Sequence, residues 1–225
     1  MAILTAEAVV FDFDGLLMDT ESSSLESWQW EWRQWGVELD VGSFFADHGG
    51  DLTQERYARL ADAVGPGYSQ VLSHERRIVY RDELNAALGL APGIGRWLDE
   101  ARQLGVRLAV ASSSPTTWVR QLLGGAGYLD RFEIVACGDE VDLAKPDPGV
   151  YLLALQRLGL PGTRAIAVED SRHGVIAAQA AGMRCAAIPN PHADPARFAV
   201  ADLLLASAEE LSLAQVLTSL AVPSS

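Results

Sequence analysis

The sequence predicts an α/β protein whose core is a doubly wound parallel sheet of the Rossmann-like type, with a helical domain inserted into it. First, short apolar runs rich in β-branched residues alternate with segments of helical periodicity. Second, about 90 residues separate the first two predicted strands, far more than one crossover connection needs. Third, the 225 residues are 49% hydrophobic and 21% charged, which is typical of a globular chain with one core and a smaller inserted unit.

The elements follow from this alternation, each strand being a short apolar run and each helix a longer periodic segment. The predicted strands are residues 7–13, 106–111, 132–136, 164–168, 184–188 and 202–205. The predicted helices of the core are residues 93–104, 115–125, 148–158, 172–181 and 209–220. We therefore assign residues 1–20 and 89–225 to the sheet-containing core, and residues 21–88 to a helical cap domain.

The inserted segment has helical patterns of its own. Ser23 and Glu26 are spaced as a capping box, which predicts that the first inserted helix begins there. Four large apolar side chains recur along that helix at helical spacing: Leu25, Trp28, Trp32 and Trp35. We interpret this stripe as a packing face rather than a platform for a ligand, because such stripes usually cover a core.

Composition excludes several classes of partner. The net charge of -13 argues against binding to nucleic acid or to an anionic membrane surface. Apolar runs are too short to span a membrane, and the first residues lack the basic flank and apolar stretch of a secretory signal. Cys137 and Cys185 match no metal spacing and are expected to be buried, reduced thiols in a cytoplasmic protein. The sequence gives no indication of oligomeric state.

The residues that indicate chemistry begin at the end of the first predicted strand. Asp12 and Asp14 follow its apolar run two positions apart, with Gly15 behind them, so an extended backbone places both carboxyl groups on one face. Two carboxylates about 4 Å apart repel each other by about 4 kcal/mol at an effective dielectric of about 20. The pair is more typical of a cation site than of the alternative, a helix cap or turn.

Further polar residues follow predicted strands and precede predicted helices. They are Ser112, Ser113 and Ser114 after the second strand, Lys145 before the helix at 148–158, and Glu169 and Asp170 after the fourth strand. Ser114 and Pro115 have the residue types of a helix N-cap and a first helical position. In an open α/β sheet the carboxyl ends of the strands line one crevice, where helix N-termini favour anions. We therefore expect Ser112, Lys145, Glu169 and Asp170 to converge with Asp12 and Asp14.

The balance of charge at this edge favours a divalent cation. Four carboxylates are expected there against one ammonium, because Lys145 is the only lysine among the 17 basic residues. A phosphate ester would add up to about two negative charges. Mg²⁺ suits carboxylates, substrate oxygens and water, and no histidine–cysteine cluster favours zinc. The pattern indicates phosphoryl transfer through an aspartyl-phosphate.

These motifs resemble those of the haloacid dehalogenase-like superfamily, in the subgroup that has a helical cap inserted after the first motif. The matching segments span nearly the whole chain: Asp12-Phe13-Asp14-Gly15, Ser112, Lys145-Pro146 and Glu169-Asp170-Ser171-x-x-Gly174. The true dehalogenases of the superfamily lack the second aspartate of the first motif, so Asp14 favours phosphate chemistry. Gly149 stands where relatives often carry an acidic residue, a difference that removes no catalytic group.

The resemblance implies roles in catalysis and in phosphate binding. Asp12 would be the nucleophile that attacks phosphorus in line with the leaving oxygen. Asp14 would protonate that oxygen and would then activate the water that attacks the acyl phosphate. Ser112, its neighbour Ser113, and Lys145 would hold the phosphoryl group during transfer. The expected enzyme is thus a phosphoric monoester hydrolase.

The resemblance also implies a Mg²⁺ site and a class of substrate. The ion would bind Asp12, the backbone carbonyl of Asp14, and Asp170, with Glu169 as a direct or water-mediated ligand. The substrate would be a small phosphorylated metabolite, with a sugar phosphate as the expected class. Its identity is not encoded in any pattern that we can read.

Two other functions compete with a phosphatase. The first is an intramolecular phosphomutase like β-phosphoglucomutase, using the same residues. Hexose-phosphate mutases of the subgroup carry a histidine early in the cap, where this chain has Ser22, Ser23 and Ser24. The second is a binding protein that has kept the fold without catalysis, which the intact set of charged motif residues disfavours. Phosphonoacetaldehyde hydrolases, which use a cap lysine, are excluded because residues 21–88 contain no lysine.

Substrate specificity is expected to come from the cap and from the rim of the site. Thr20 lies in the predicted hinge between core and cap, and His48 is the best candidate for a cap contact with substrate. Arg172 and His173 stand next to the predicted metal aspartate and are candidates at the rim.

Overall fold

A computed structural model describes residues 6–44, 52–190 and 193–221, without the side chains of residues 43 and 44. The strands are β1 (Ala8–Phe11), β2 (Arg107–Ala111), β3 (Ile134–Ala136), β4 (Ala165–Glu169), β5 (Arg184–Ala187) and β6 (Leu203–Leu204). The α-helices are α1 (Thr20–Gln34), α2 (Val41–Phe44), α3 (Thr53–Val64), α4 (Gln70–Ala86), α5 (Ile94–Leu104), α6 (Thr116–Gly125), α7 (Gly149–Leu158), α8 (Arg172–Ala180) and α9 (Leu213–Ser219).

The strands form one parallel sheet in the order β3-β2-β1-β4-β5-β6. The chain moves outward from β1 through β2 to β3, and then returns to the other side of β1 for β4, β5 and β6. The predicted doubly wound sheet is therefore confirmed. Phe11 of β1 lies opposite both Val110 of β2 and Val168 of β4, so these three strands end at the same edge. That edge, where the strand order reverses, is where such sheets bind ligands.

The sheet is buried because helices pack against its strands. All four residues of β1 are buried, as expected for a central parallel strand covered on both faces. Helix α7 packs against β2 and β3, and α8 packs against β4 and β5. Cys137 and Cys185 are buried free thiols, as predicted. Within the described residues, no helix combines the length and the apolar character that a membrane crossing requires.

The chain divides into two compact units, which we call the sheet unit (Met1–Met18 and Gly89–Ser225) and the helical unit (Asp19–Leu88). In the helical unit, α1 packs against α4. Trp28 and Trp32 of α1 form a buried cluster with Tyr57 and Leu60 of α3, and Leu25 and Trp35 pack against that cluster. The tryptophan stripe is therefore a packing face, as predicted from its spacing.

A buried carboxylate also ties α1 to α4 within the helical unit. Glu31 is fully buried, and its Oε1 accepts hydrogen bonds from Trp35 Nε1 at 2.7 Å, Ser73 Oγ at 2.5 Å and Arg76 Nη2 at 2.7 Å. Burying a carboxylate is costly unless donors and a counter-charge accompany it. This network provides both, so Glu31 holds the two helices in a fixed register.

Two predicted helix starts were wrong. Helix α1 begins at Thr20, not at Ser23, because the side chain of Asp19 caps it by accepting the Ser22 N–H at 3.0 Å. Helix α9 was predicted from residue 209 but begins at Leu213, where Ser212 and Gln215 form a capping box. In both cases a side chain that was not predicted to cap the helix determines where it begins.

One glycine is required by a close approach between α8 and the end of β4. Gly174 lies in the first turn of α8, and a Cβ atom built there would overlap the carboxylate carbon and both oxygens of Glu169. Glu169 is the last residue of β4 and has no exposed surface. The small residue at position 174 therefore leaves the space that the buried carboxylate occupies.

We expect Gly174→Ala to lower the free energy of unfolding by about 1–3 kcal/mol, because the added methyl group must displace Glu169 or α8. Chemical denaturation followed by circular dichroism would measure the change. Gly95→Ala is the matched control, since Gly95 is also helical and its added Cβ would meet only Leu90 Cδ1 at 3.9 Å. The control should keep the wild-type free energy of unfolding, and an equal decrease in both variants would contradict the overlap argument.

Candidate active site

The sheet brings the predicted polar residues to one edge. Asp12 follows β1, Ser112 follows β2, and Glu169 and Asp170 lie at the end of β4. These strands are adjacent and end in register, which makes residues more than 150 positions apart neighbours in space. Lys145 reaches the same place from the connection between β3 and α7. The predicted convergence of these side chains is therefore present in the structure.

Lys145 is the centre of the polar contacts at this edge. Its Nζ donates to Asp12 Oδ1 at 2.5 Å, to Glu169 Oε1 at 2.6 Å and to the backbone carbonyl of Ala111 at 2.9 Å. The lysine side chain is only 6% exposed, and Nζ lies 4.8 Å from the centre of the Tyr151 ring. A compact ammonium can satisfy three acceptors that surround it in this way. The single lysine of the chain is therefore placed between two buried carboxylates.

Glu169 is held by hydrogen-bond donors on both of its oxygens. Besides Lys145, Tyr151 donates its hydroxyl to Oε1 at 2.5 Å. The Oε2 atom accepts from the Ser171 hydroxyl at 3.1 Å and from the Ser171 N–H at 3.3 Å. With two donors on each oxygen, Glu169 orients Lys145 and has little remaining capacity to accept further bonds.

Burial changes the proton affinities of these groups. The pKa of Asp12 is raised to about 8: burial is the main cause, the carboxylates of Glu169 and Asp14 add to it, and Lys145 opposes it. For Lys145, burial lowers the pKa, but Asp12 and Glu169 outweigh that effect and raise it above its usual range. Burial, together with the charge of Glu169, raises the pKa of Tyr151 well above its usual value, so its hydroxyl remains a donor.

Three carboxyl groups are close enough to share a cation. One oxygen each from Asp12, Glu169 and Asp170 lie within 4.8 Å of one another, and all three residues are buried. The donors are all oxygens, which suits a hard divalent cation such as Mg²⁺ better than a soft metal. The residues present therefore fit the metal that the sequence predicts.

Asp14 accepts hydrogen bonds from the segment between β2 and the first turn of α6. Its Oδ2 accepts from the Ser114 hydroxyl at 2.6 Å and lies 3.5 Å from Ser112 Oγ. Its Oδ1 accepts from Trp118 Nε1 at 2.9 Å. The Asp14 side chain is half-buried and is oriented by neutral donors.

The prediction that Ser114 caps α6 was wrong. Helix α6 begins at Thr116, whose N–H donates to Asp139 Oδ1 at 2.9 Å. Asp139 therefore supplies the capping oxygen, and the hydroxyl of Ser114 is used on Asp14 instead. Sequence spacing identified a serine suited to a cap, but a residue from a distant turn took that role.

The remaining predicted residues lie in different places. Ser113 is exposed, next to Ser112. Arg172 is exposed and His173 is half-buried at the start of α8, close in sequence to the carboxylates of Glu169 and Asp170. Thr20 is buried at the start of α1 in the helical unit. His48 lies outside the described residues.

Three residues at the site were not predicted to act there: Ser114, Trp118 and Tyr151. Ser114 and Trp118 are four positions apart and bracket the start of α6, a spacing that matches one helical turn and is a usable signal in retrospect. Tyr151 lies among the apolar residues of α7 and is itself fully buried. Nothing in its neighbourhood distinguishes it from a core residue.

The family was then established by comparison with known proteins. The model of the haloacid dehalogenase-like hydrolase family matches residues 9–188. YhcW of Bacillus subtilis (strain 168), which is provisionally named a phosphatase, is 34% identical over 215 residues. That match covers 94% of this chain and 96% of YhcW.

Two solved structures are similar over almost their whole length. An Asp-to-Asn variant of CbbY from Rhodobacter sphaeroides, crystallised with xylulose 1,5-bisphosphate, has a TM-score of 0.74 and 32% identity, and the match covers 96% of this chain and 100% of CbbY. A Thermotoga maritima protein provisionally named a β-phosphoglucomutase has a TM-score of 0.81 and 28% identity, with coverage of 94% and 98%. The predicted enzyme class, a phosphatase, is confirmed, and the chain belongs to the haloacid dehalogenase-like hydrolase family.

Proposed function

We propose that the protein is a Mg²⁺-dependent phosphatase that hydrolyses a small sugar phosphate through an aspartyl-phosphate intermediate. One observation carries this proposal: Lys145 bridges Asp12 and Glu169 at 2.5 and 2.6 Å, beside a buried group of three carboxylates. Such a concentration of buried like charge is unfavourable for folding and is retained where chemistry requires it. A bound cation would balance this charge and that of the phosphate ester.

Asp12 and Asp170 are the residues that we assign to direct metal binding, together with the backbone carbonyl of Asp14. Glu169 is the weaker candidate, because four donors already occupy its oxygens. A bound Mg²⁺ would neutralise the carboxylates and polarise the phosphoryl oxygens of the substrate. The close grouping of oxygens from Asp12, Glu169 and Asp170 supports this assignment.

In the first step, a carboxylate oxygen of Asp12 forms a bond to phosphorus while the bond from phosphorus to the substrate ester oxygen breaks. Lys145 and Ser112 hold the transferring group, since both side chains are buried beside Asp12 and Asp14. Asp14 gives its proton to the departing ester oxygen, which leaves as an alcohol. The product that stays on the enzyme is an acyl phosphate on Asp12.

In the second step, water attacks the phosphorus of the acyl phosphate. Asp14, now ionised, takes a proton from that water as the new bond forms. The bond between phosphorus and Asp12 breaks, which releases inorganic phosphate and restores both carboxyl groups. The donors on Asp14 from Ser114 and Trp118 support this step, because they orient the carboxyl group.

The substrate class rests on the relatives. CbbY, which is 32% identical, was crystallised with a sugar bisphosphate, and this favours a phosphorylated sugar for our protein. We propose that the helical unit acts as the specificity cap, with Thr20 and His48 as its candidate residues and with Arg172 and His173 at the rim of the sheet unit. The cytoplasmic location remains a prediction.

A phosphomutase is the second candidate, favoured by the similarity to the Thermotoga maritima protein. Both activities require an aspartyl-phosphate and differ in whether water or a sugar hydroxyl accepts the phosphoryl group. Incubation with β-glucose 1-phosphate and a bisphosphate primer separates them. Release of free phosphate is expected for a phosphatase, whereas isomerisation without free phosphate would identify the protein as a phosphomutase.

The broader experiment is a screen of phosphorylated metabolites for released phosphate, with Mg²⁺ and with a chelator. We expect release from sugar phosphates that depends on Mg²⁺. Asp12→Asn is the matched inactive variant, because an amide cannot serve as the nucleophile. The change relieves like-charge repulsion and also removes the ion pair with Lys145. Hydrolysis of p-nitrophenyl phosphate by Asp12→Asn at the wild-type rate would disprove the assigned nucleophile.

We expect Lys145→Arg to lower kcat by about 100-fold with p-nitrophenyl phosphate, despite its equal charge. The ammonium occupies a point between three acceptors that a planar, wider guanidinium cannot reproduce. Steady-state kinetics measure the change. Arg157→Lys serves as the reverse control, since Arg157 pairs with Glu140 away from these carboxylates, and it should retain wild-type kinetics. Near-normal kinetics of Lys145→Arg would refute the argument.

The raised pKa of Asp12 predicts how stability depends on pH without metal. Because the folded state binds this proton more tightly than the unfolded state, the stability that the proton contributes is lost as pH rises toward about 8. With a chelator present, the free energy of unfolding of Asp12→Asn should rise relative to that of wild type by on the order of 2 kcal/mol between pH 5 and pH 8. Denaturation curves at both pH values test this, and added Mg²⁺ should restore the stability of the wild type at pH 8. Parallel curves for the two proteins would contradict the prediction.

A further inference from the structure

We propose that Trp118 is a positioning residue that fixes the orientation of the Asp14 carboxyl group. The indole donates to Oδ1 and the Ser114 hydroxyl donates to Oδ2, so two donors from one segment hold the carboxyl group. The inference rests on the proposed function, since it assumes that Asp14 is the acid and base. It adds a residue of α6 that no motif of the sequence assigns to the reaction.

The argument begins with the chemistry of the indole. The Trp118 Nε1–H is a donor only, and it lies 2.9 Å from Asp14 Oδ1. The indole is planar and has a single N–H, so it donates along one fixed direction. This contact therefore limits rotation of the Asp14 carboxyl group.

The partner of the other oxygen does not impose that restriction. Ser114 Oγ lies 2.6 Å from Asp14 Oδ2, and a hydroxyl can donate to a carboxylate or accept from a carboxylic acid by rotating its proton. Ser112 Oγ lies 3.5 Å from the same oxygen and comes from the segment that we assign to phosphate binding. The indole is therefore the contact that fixes the carboxyl group, and the hydroxyl can adapt to it.

The backbone that carries these donors is anchored independently of Asp14. The N–H of Ser112 donates to the Ala136 carbonyl at 3.0 Å, and the N–H of Gly138 donates to the Ser114 carbonyl at 3.1 Å. The start of α6 is held by Asp139. Trp118 is thus presented by a fixed segment and can orient a carboxyl group that sits on a different strand connection.

Trp118→Phe is the variant that tests the proposal, because it removes the N–H and keeps an aromatic ring. Single-turnover formation of the phosphoenzyme is measured with phenyl phosphate, whose leaving oxygen needs a proton, and with p-nitrophenyl phosphate, whose leaving group departs without one. We expect a loss of about 10-fold or more with phenyl phosphate and of less than about twofold with p-nitrophenyl phosphate. Equal losses with both substrates, or no loss, would overturn the proposal.

Two further variants separate positioning from packing. Trp118→His keeps a ring N–H and is expected to recover most of the phenyl phosphate rate, whereas a loss equal to that of Trp118→Phe would count against the proposal. Trp97→Phe removes the indole donor from another helix of the sheet unit, where Nε1 bonds the Leu211 carbonyl at 2.9 Å. This control should keep the ratio of the two rates at its wild-type value.

A double-mutant comparison with Asp14→Ala distinguishes failure of the inference from failure of the proposed function. If Trp118 acts through Asp14, adding Trp118→Phe to Asp14→Ala should cost less than about twofold further. A further loss as large as in the wild-type background would overturn the positioning role. If Asp14→Ala itself leaves the phenyl phosphate rate unchanged, the acid–base role of Asp14 fails. If Asp14→Ala lowers the phenyl phosphate rate but Trp118→Phe does not, the acid–base role stands and the positioning role is wrong.

Discussion

The burial of carboxyl groups at the ends of β1 and β4 is the constraint on which the site depends. Asp12, Glu169 and Asp170 are almost without solvent, where their mutual repulsion is poorly screened. Lys145 offsets part of that repulsion, and the hydroxyl of Tyr151 stabilises Glu169. The proposed cation would offset the rest, which would link folding stability and metal binding in this one group of side chains.

The topology of the sheet makes this grouping possible. Because β1 lies between β2 and β4, residues that follow three strands meet although the chain passes through the whole helical unit between the first two. Phe11, Val110 and Val168 are in register, so the residues after them emerge together. The space for the buried carboxylate of Glu169 is then left by Gly174, one turn into the next helix. Sheet order and strand register thus bring the carboxylates together, and the absence of a side chain at Gly174 leaves room for one of them.

The limits of sequence reasoning are visible in particular residues. Strands and most core helices were predicted to within a few residues, because hydrophobic periodicity and helix-terminal residues are local signals. The convergence of Asp12 with Lys145 followed from the general geometry of open α/β sheets. The partners of Ser114, Trp118 and Tyr151 could not be predicted in that way, because each donor is paired by tertiary contacts with a residue distant in sequence.

The two aspartates of the first motif have different side-chain partners. Asp12 is contacted by Lys145, which also contacts Glu169 at the end of β4, whereas Asp14 is contacted by residues 112–118, which follow β2. Under the proposed roles, a change at position 114 or 118 can adapt Asp14 to a new alcohol and leave the contact between Lys145 and Asp12 in place. This separation offers a physical route by which one scaffold diversifies among phosphate esters while its central bond-breaking chemistry is preserved.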